Sequence, residues 1–218
     1  MLFFFCFQIG LIININILSP LDDQNVAHCD LKPKNLLLKR KGDDSSVMVA
    51  DFGFATSVFA PKTLTKQCGT PYFVAPEILL REPYDQQADM WSVGVIIFCL
   101  LSGQLPFTGK RHLDLFKSII AGDFTFNEEW EEISDDAKDL ISKLLVTDPD
   151  KRYTAKDALA SKWIRANTQL LKSHSLMSAS SRLKTFNARL KLKSTILVIQ
   201  TLIRWRRITR HSLEARRK

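Results

Sequence analysis

His28-Cys29-Asp30-Leu31-Lys32-Pro33-Lys34-Asn35, followed sixteen positions after Asn35 by Asp51-Phe52-Gly53, is the stretch that decides how this chain reads. It puts a carboxylate, an ammonium and an amide on one short loop. A second carboxylate follows on a glycine-containing turn. Two carboxylates, an amide and an ammonium brought together suit the holding of magnesium and a triphosphate beside a hydroxyl. Transfer of a phosphoryl group asks little covalent chemistry of a protein and much positioning and charge neutralisation. In such a site Asp30 would accept the hydroxyl proton. Lys32 would neutralise charge on the group in transit. Asn35 and Asp51 would supply the oxygen ligands that a hard cation requires.

Three further stretches follow in order: Cys68-Gly69-Thr70-Pro71-Tyr72-Phe73-Val74-Ala75-Pro76-Glu77, Asp89-Met90-Trp91-Ser92-Val93-Gly94-Val95, and Asp148-Pro149-Asp150-Lys151-Arg152. Taken together, the set resembles the catalytic loop, DFG turn, activation-segment end and large-lobe signature of eukaryotic protein kinases. Order and spacing agree over residues 21–164. Lysine two positions after Asp30 resembles the serine/threonine kinases, and the tail described below is similar to the calcium/calmodulin-dependent group. The resemblance implies an α+β fold: a mainly helical large lobe with short β hairpins, then a basic helical tail. It implies ATP and Mg2+ as cofactors and a protein hydroxyl as substrate. Asp30 and Lys32 would be catalytic, and Lys32, Asn35, Leu37 and Asp51 would meet the nucleotide. Asn35 and Asp51 would hold the metal. By the same resemblance Leu37 would floor the adenine site, and Thr70 would line the substrate hydroxyl site. Asp89 would fix the backbone of the catalytic loop, Glu77 would pair with Arg152, and His28 would be structural.

The 218 residues suffice for one domain with a sizeable core plus appendages. Net charge is +8, unevenly placed. From Arg165 onward there are fourteen Lys or Arg against one acidic residue, so the tail carries +13 and the rest of the chain −5. Basicity therefore belongs to the tail and not to the fold. Four scattered cysteines without CxxC spacing argue against zinc and against a disulfide framework, and suit a reducing, cytoplasmic setting.

Residues 1–20, MLFFFCFQIGLIININILSP, depart from the family pattern. They lack the basic n-region of a signal peptide. Gln8, Asn14, Asn16 and Pro20 interrupt the apolar run of about 20 residues that a membrane span needs. The expectation is a segment that replaces authentic sequence, with a membrane anchor as the alternative and no span expected. Ahead of His28 there is no Gly-rich loop, no strand lysine of the Val-Ala-Ile-Lys type and no helix glutamate to pair with it. The small lobe of the family is therefore expected to be missing from this sequence.

Leu36–Leu38 and Val47–Ala50, either side of a polar turn, predict a hairpin. Residues 54–67 read as an activation loop with Thr63 and Thr65. Ser92–Ser102 is a long apolar run closed by Gly103 and predicts a buried helix. Ser134 ahead of Asp135 and Asp136 predicts a helix start with Ile133, Leu140, Ile141, Leu144 and Leu145 as its apolar face. Thr154 with Asp157 is a capping-box signal for a last domain helix ending near Trp163.

Cys29 is a departure within the motif. Most members of the family have arginine there, which receives a phosphate on the activation loop. Lys66 stands where several calmodulin-dependent kinases carry the phosphorylated threonine, and Thr65 is one place off. This implies either an enzyme that needs no loop phosphate or a non-catalytic copy.

In residues 165–218, Arg182–Leu202 resembles the autoinhibitory and calmodulin-binding segment of the calcium/calmodulin-dependent kinases. Physically it is a candidate basic amphipathic helix. Leu192, Ile196, Ile199 and Trp205 stand at relative positions 1, 5, 8 and 14, an anchor spacing suited to the groove of calcium-loaded calmodulin. An anionic-membrane surface helix and a nucleic-acid arm compete with that reading, and no nucleic acid is expected. Two functions follow as expectations: a calmodulin-regulated serine/threonine kinase read here without its small lobe, or an inactive lobe that binds calmodulin and other proteins.

Overall fold

The computed structural model describes residues 25–40 and 43–171. The N-terminal apolar segment and the basic tail, with Leu192, Ile196, Ile199 and Trp205, lie outside the described residues. Among the described residues four short strands come first: β1 (Val26–Ala27), β2 (Leu36–Arg40), β3 (Asp43–Val49) and β4 (Thr56–Ser57). Six helices follow: α1 (Pro76–Leu80), α2 (Gln87–Ser102), α3 (His112–Ala121), α4 (Asp135–Leu144), α5 (Ala155–Ala160) and α6 (Lys162–Leu171). The architecture is α+β and mainly helical.

β2 and β3 form the expected antiparallel hairpin, with Leu36 opposite Val49 and Leu38 opposite Val47. It reaches further into the polar turn than the apolar runs alone mark. β1 and β4 make a second antiparallel pair, Val26 opposite Ser57, that the sequence reading did not foresee. This pair clips the start of the catalytic loop to the start of the activation segment.

The core is organised around α2. Every residue from Ala88 to Leu101 is buried, so the helix is covered on all sides. A helix apolar around its whole circumference belongs in the interior. It ends at Gly103 in the left-handed conformation (φ 74°), which a residue lacking Cβ adopts without strain. Gly94 lets α4 come close: a Cβ there would lie 2.9 Å from Leu144 Cβ and 2.9 Å from Leu145 Cδ2. Ile133, Leu140, Ile141, Leu144 and Leu145 are all buried. Phe98 continues the core into an aromatic cluster, 4.6 Å from the Trp130 ring and 6.1 Å from those of Phe124 and Phe126.

Helix starts follow local chemistry. Ser134 Oγ accepts from Ala137 N at the start of α4, with Asp135 and Asp136 in the first turn, where the helix dipole favours anions. Thr154 and Asp157 make a reciprocal capping box at α5. The expected single helix from Thr154 to Trp163 is two. Ser161 adopts extended backbone (φ −62°, ψ 150°), which ends α5 at Ala160, and its hydroxyl accepts from Ile164 N to start α6. Trp163 and Ile164 are buried at the start of the second helix, which runs to Leu171. Among the described residues no helix is long and apolar enough to cross a membrane.

Candidate active site

Asp30 is the centre of a closed set of contacts. Thr70 Oγ1 donates to Asp30 Oδ1 at 2.7 Å. Lys32 Nζ donates to Asp30 Oδ2, and also to Thr70 Oγ1 at 2.9 Å. Each of the three side chains therefore touches the other two, although Thr70 is far along the chain. Asp30 is buried and Lys32 half-buried.

The loop that carries them is held from below. Pro33 starts a single 3-10 turn, Pro33–Asn35, where a residue without an N–H and with fixed φ is at home. Asn35 Nδ2 donates to the Asp30 carbonyl at 3.0 Å. Asp89, at the start of α2, accepts from His28 N at 2.6 Å and from Cys29 N at 3.0 Å. Cys29 has φ 63°, a left-handed conformation that costs on the order of 1–3 kcal/mol in a residue with a side chain. The two backbone hydrogen bonds to one carboxylate offset that strain. Burial pushes the Asp89 carboxyl up to about 6, and the same two backbone N–H groups pull the other way.

The second carboxylate follows from the hairpin. Ala50 N donates to Asn35 O at 2.9 Å, which sets Asp51 beside the end of the catalytic loop. Asp51 has φ 68° and is exposed. His28 joins the two loops: its Nε2 lies 3.3 Å from Ala50 O and its ring 5.0 Å from the Phe52 ring. Burial lowers the His28 pKa from its ordinary value, against the raising effects of Ala50 O, Asp30 and Asp51.

The arrangement fits a magnesium nucleotide in one further respect. The Asn35 amide nitrogen is committed to Asp30, and neither the Asn35 side-chain oxygen nor the Asp51 carboxylate hydrogen-bonds another described residue. Oxygens left in that way are what a hard cation takes up. Leu37 lies on β2, 48% exposed, opposite exposed Met48 on β3.

Glu77 and Arg152 meet away from this centre. Arg152 Nη1 and Nη2 grip Glu77 Oε1 and Oε2 at 2.8 and 2.9 Å. The pair ties the end of the activation segment to the loop between α4 and α5.

The activation segment has anchors that sequence reasoning missed. Leu64 pairs with Tyr84 through reciprocal backbone bonds of 2.9 Å. Tyr84 Oη donates to Lys66 O at 2.6 Å and is within 3.2 Å of Cys68 Sγ. Lys62 Nζ donates to Asp150 at 2.6 Å, and Lys62 N to Asp85 at 3.2 Å. Lys66 Nζ sits 5.6 Å over the Phe54 ring. Thr65 is exposed, and Thr63 Oγ1 donates to Ala60 O at 2.9 Å. A tyrosine in a loop carries no periodic signal, so nothing in the sequence marked Tyr84.

Comparisons with known proteins bear on the same residues. A family model described as protein kinase domain matches residues 15–164. Calcium/calmodulin-dependent protein kinase type 1 of Caenorhabditis elegans is 44% identical over 147 residues, 67% of this chain and 42% of the relative. Myosin light chain kinase A of Dictyostelium discoideum is 45% identical over 144 residues, 66% of this chain and 49% of the relative. Calcium-dependent protein kinase 11 of rice is 38% identical over 184 residues, 84% of this chain and 32% of the relative. The chain thus spans less than half the length of these relatives.

Proposed function

The chain belongs to the protein kinase family, and from that premise we propose that the protein is a serine/threonine kinase, regulated by calcium-loaded calmodulin, that transfers the γ-phosphate of MgATP to a protein hydroxyl. The observation that carries the reading is the three-way contact of Asp30, Lys32 and Thr70. It brings a carboxylate, an ammonium and a hydroxyl to one point. Asp30 accepts the proton of the incoming hydroxyl. Lys32 offsets the negative charge that gathers there. Thr70 orients the Asp30 carboxylate through its hydroxyl. Asn35 and Asp51 would hold the magnesium, which would neutralise charge on the phosphates of ATP, the source of the phosphoryl group. Asp89 keeps the loop in its strained shape through two backbone amides. The name of the relative in C. elegans supports the calmodulin-regulated group, as does the anchor spacing of Leu192, Ile196, Ile199 and Trp205 in the tail. The proposed compartment is the cytoplasm.

Cys29 favours a second reading, a non-catalytic lobe that binds calmodulin and other proteins. A thiol cannot take the charge-assisted hydrogen bonds of a loop phosphate as a guanidinium does.

The deciding experiment measures transfer of labelled phosphate from MgATP to a serine peptide. It uses residues 1–218, and also residues 21–218 fused behind a small lobe with a Gly-rich loop and strand lysine. The first reading expects transfer by the fusion and a loss of about 10²–10⁴-fold on Asp30→Asn. Residues 1–218 alone should transfer none. A fusion that folds, binds MgATP and transfers nothing would favour the second reading. Near-normal turnover by Asp30→Asn would remove the role given to Asp30.

A further inference from the structure

Two thiols from different loops meet around one hydroxyl. Cys29 belongs to the catalytic loop and Cys68 to the end of the activation segment. Tyr84 Oη lies 3.2 Å from Cys68 Sγ and 4.0 Å from Cys29 Sγ. Cys29 and Cys68 also line one small cavity, together with Gly69, Val74 and Asp89. The backbones are close as well: a Cβ on Gly69, the residue after Cys68, would come within 3.1 Å of the Cys29 carbonyl oxygen. The segment can run that near because Gly69 has φ 112° and no side chain. Neither thiol has a part in the phosphoryl-transfer chemistry, and both are free.

We propose that Cys29 and Cys68 are a peroxide-sensitive thiol pair that closes to a reversible disulfide, joining the catalytic loop covalently to the activation segment.

The chemistry has an order set by exposure. Cys68 is half-buried and Cys29 is buried. Burial pushes the Cys29 thiol up to about 12, with the Asp89 carboxylate and the Cys68 thiol acting in the same direction. A buried thiol held in its protonated form is a poor first target for an oxidant. Hydrogen peroxide therefore reacts at Cys68: the O–O bond breaks, sulfur gains OH as sulfenic acid, and water leaves. Cys29 sulfur then attacks the Cys68 sulfur. The S–S bond forms, the S–O bond breaks, and the departing hydroxide leaves as water with the Cys29 proton. A dithiol reverses the reaction by exchange and is itself oxidised to its disulfide. The Tyr84 ring stays in place, and its hydroxyl keeps the Lys66 carbonyl as partner.

The placement gives the bond a consequence. Thr70, which touches Asp30 and Lys32, follows Cys68 by two residues, and Asp30 follows Cys29 directly. A Cys29–Cys68 bond tethers both sides of that contact at once. At the Cys29 position the kinase resemblance leads one to expect an arginine that orders the loop through a phosphate; here a covalent bond would take over the ordering. The inference is independent of the proposed phosphoryl transfer, because it rests on the thiols alone.

The test uses the full chain, reduced, freed of reductant and treated with hydrogen peroxide. Free thiols are then blocked, and tryptic peptides are mapped by mass spectrometry without reduction. The expected product is one linked peptide pair containing Cys29 and Cys68, lighter by two hydrogens and separated by dithiothreitol. It should be lost in Cys68→Ser, a change on the outer segment, and kept in Cys99→Ser. In Cys29→Ala, Cys68 should run on to the sulfinic acid. Wild-type Cys68 that reaches sulfinic acid unlinked, that pairs with Cys6 or with a second chain, or that stays reduced would each overturn the proposal.

Discussion

Arg152 spends all five of its N–H donors on acceptors that surround Glu77. Two go to the Glu77 carboxylate, and the rest go to the carbonyls of Gln87 at 2.6 Å, Val146 at 2.9 Å and Thr147 at 3.3 Å. Neither side chain is more than 2% exposed. The guanidinium also lies 5.2 Å over the Trp91 ring. A buried pair of this kind is weak evidence for extra stability, but it leaves a stranded charge when one half is removed.

Glu77→Ala and Arg152→Ala should therefore each lower stability by about 3–5 kcal/mol. Arg152→Lys should fail to rescue, because an ammonium has three donors and no planar fork. Urea unfolding of the three variants measures this. A loss under about 1 kcal/mol in either alanine variant would place the pair among those that contribute nothing measurable.

Gly94→Ala sets two magnitudes against each other. Alanine improves helix propensity over glycine by about 1 kcal/mol. The new methyl would stand 2.9 Å from Leu144 Cβ, which is fixed to the backbone of α4, and overpacking costs about 1–3 kcal/mol. The expected net result is destabilisation, read as a lower thermal midpoint. A raised midpoint would show that α4 can move away freely.

Asp89 gives a pH dependence with a definite sign. Its carboxyl is pushed up to about 6 in the folded chain, from 3.8. A raised acid contributes stability that is fully present below the unfolded value and is lost as pH rises through the folded one. The stability of the wild type relative to Asp89→Asn should thus grow between pH 6 and pH 4, by on the order of 2–3 kcal/mol. Urea midpoints of both proteins across that range test it. A gap that narrows on acidification would mean that the His28 and Cys29 amides outweigh burial.

The tail is tested with a peptide covering Arg182–Arg207. It should bind calmodulin with calcium and not without it, because calcium opens the apolar groove. Trp205 emission should shift to the blue on binding and return on adding chelator. Leu192→Ala and Trp205→Ala should each weaken binding more than any single Lys→Ala change, since each anchor is worth roughly 1.5–3 kcal/mol when fully buried. Binding that ignores calcium and vanishes at moderate salt would mark a general polyanion arm instead.

Much of the site was legible in the sequence because its chemistry constrains residue type at fixed spacing. Asp30, Lys32 and Asn35 lie on one loop, and that loop can be read without a fold. Bringing Thr70 and Asp89 to it required the family resemblance, since nothing local joins them. The buried helix α2 was legible from its length and its glycine stop. Its first turn, Gln87–Asp89, was not, because Gln87 and Asp89 are polar and Ala88 alone makes no apolar run. The β1–β4 pair was unreadable: two residues on each side leave no alternation, and Thr56 and Ser57 are exposed. Helix α3 was passed over because Leu113 and Ile120 face outward and blur the stripe formed by Leu115 and Ile119. The break at Ser161 was hidden by its size, one extended residue with neither Gly nor Pro. The Cys29–Cys68 meeting was hidden because thiols brought together by tertiary structure have no spacing motif.

The covered circumference of α2 also sets an order of events at the ribosome. The helix is made long before α4, α5 and the Trp163–Ile164 pair that are buried with it in the core. Until those later segments leave the exit tunnel, the side of α2 that carries Gly94 lacks its cover from Leu144 and Leu145. A nascent chain in that condition is a natural client for a chaperone that shields apolar helices. Ribosome-bound chains stalled between α2 and α4 should carry such a chaperone, and chains released past Ile164 should shed it.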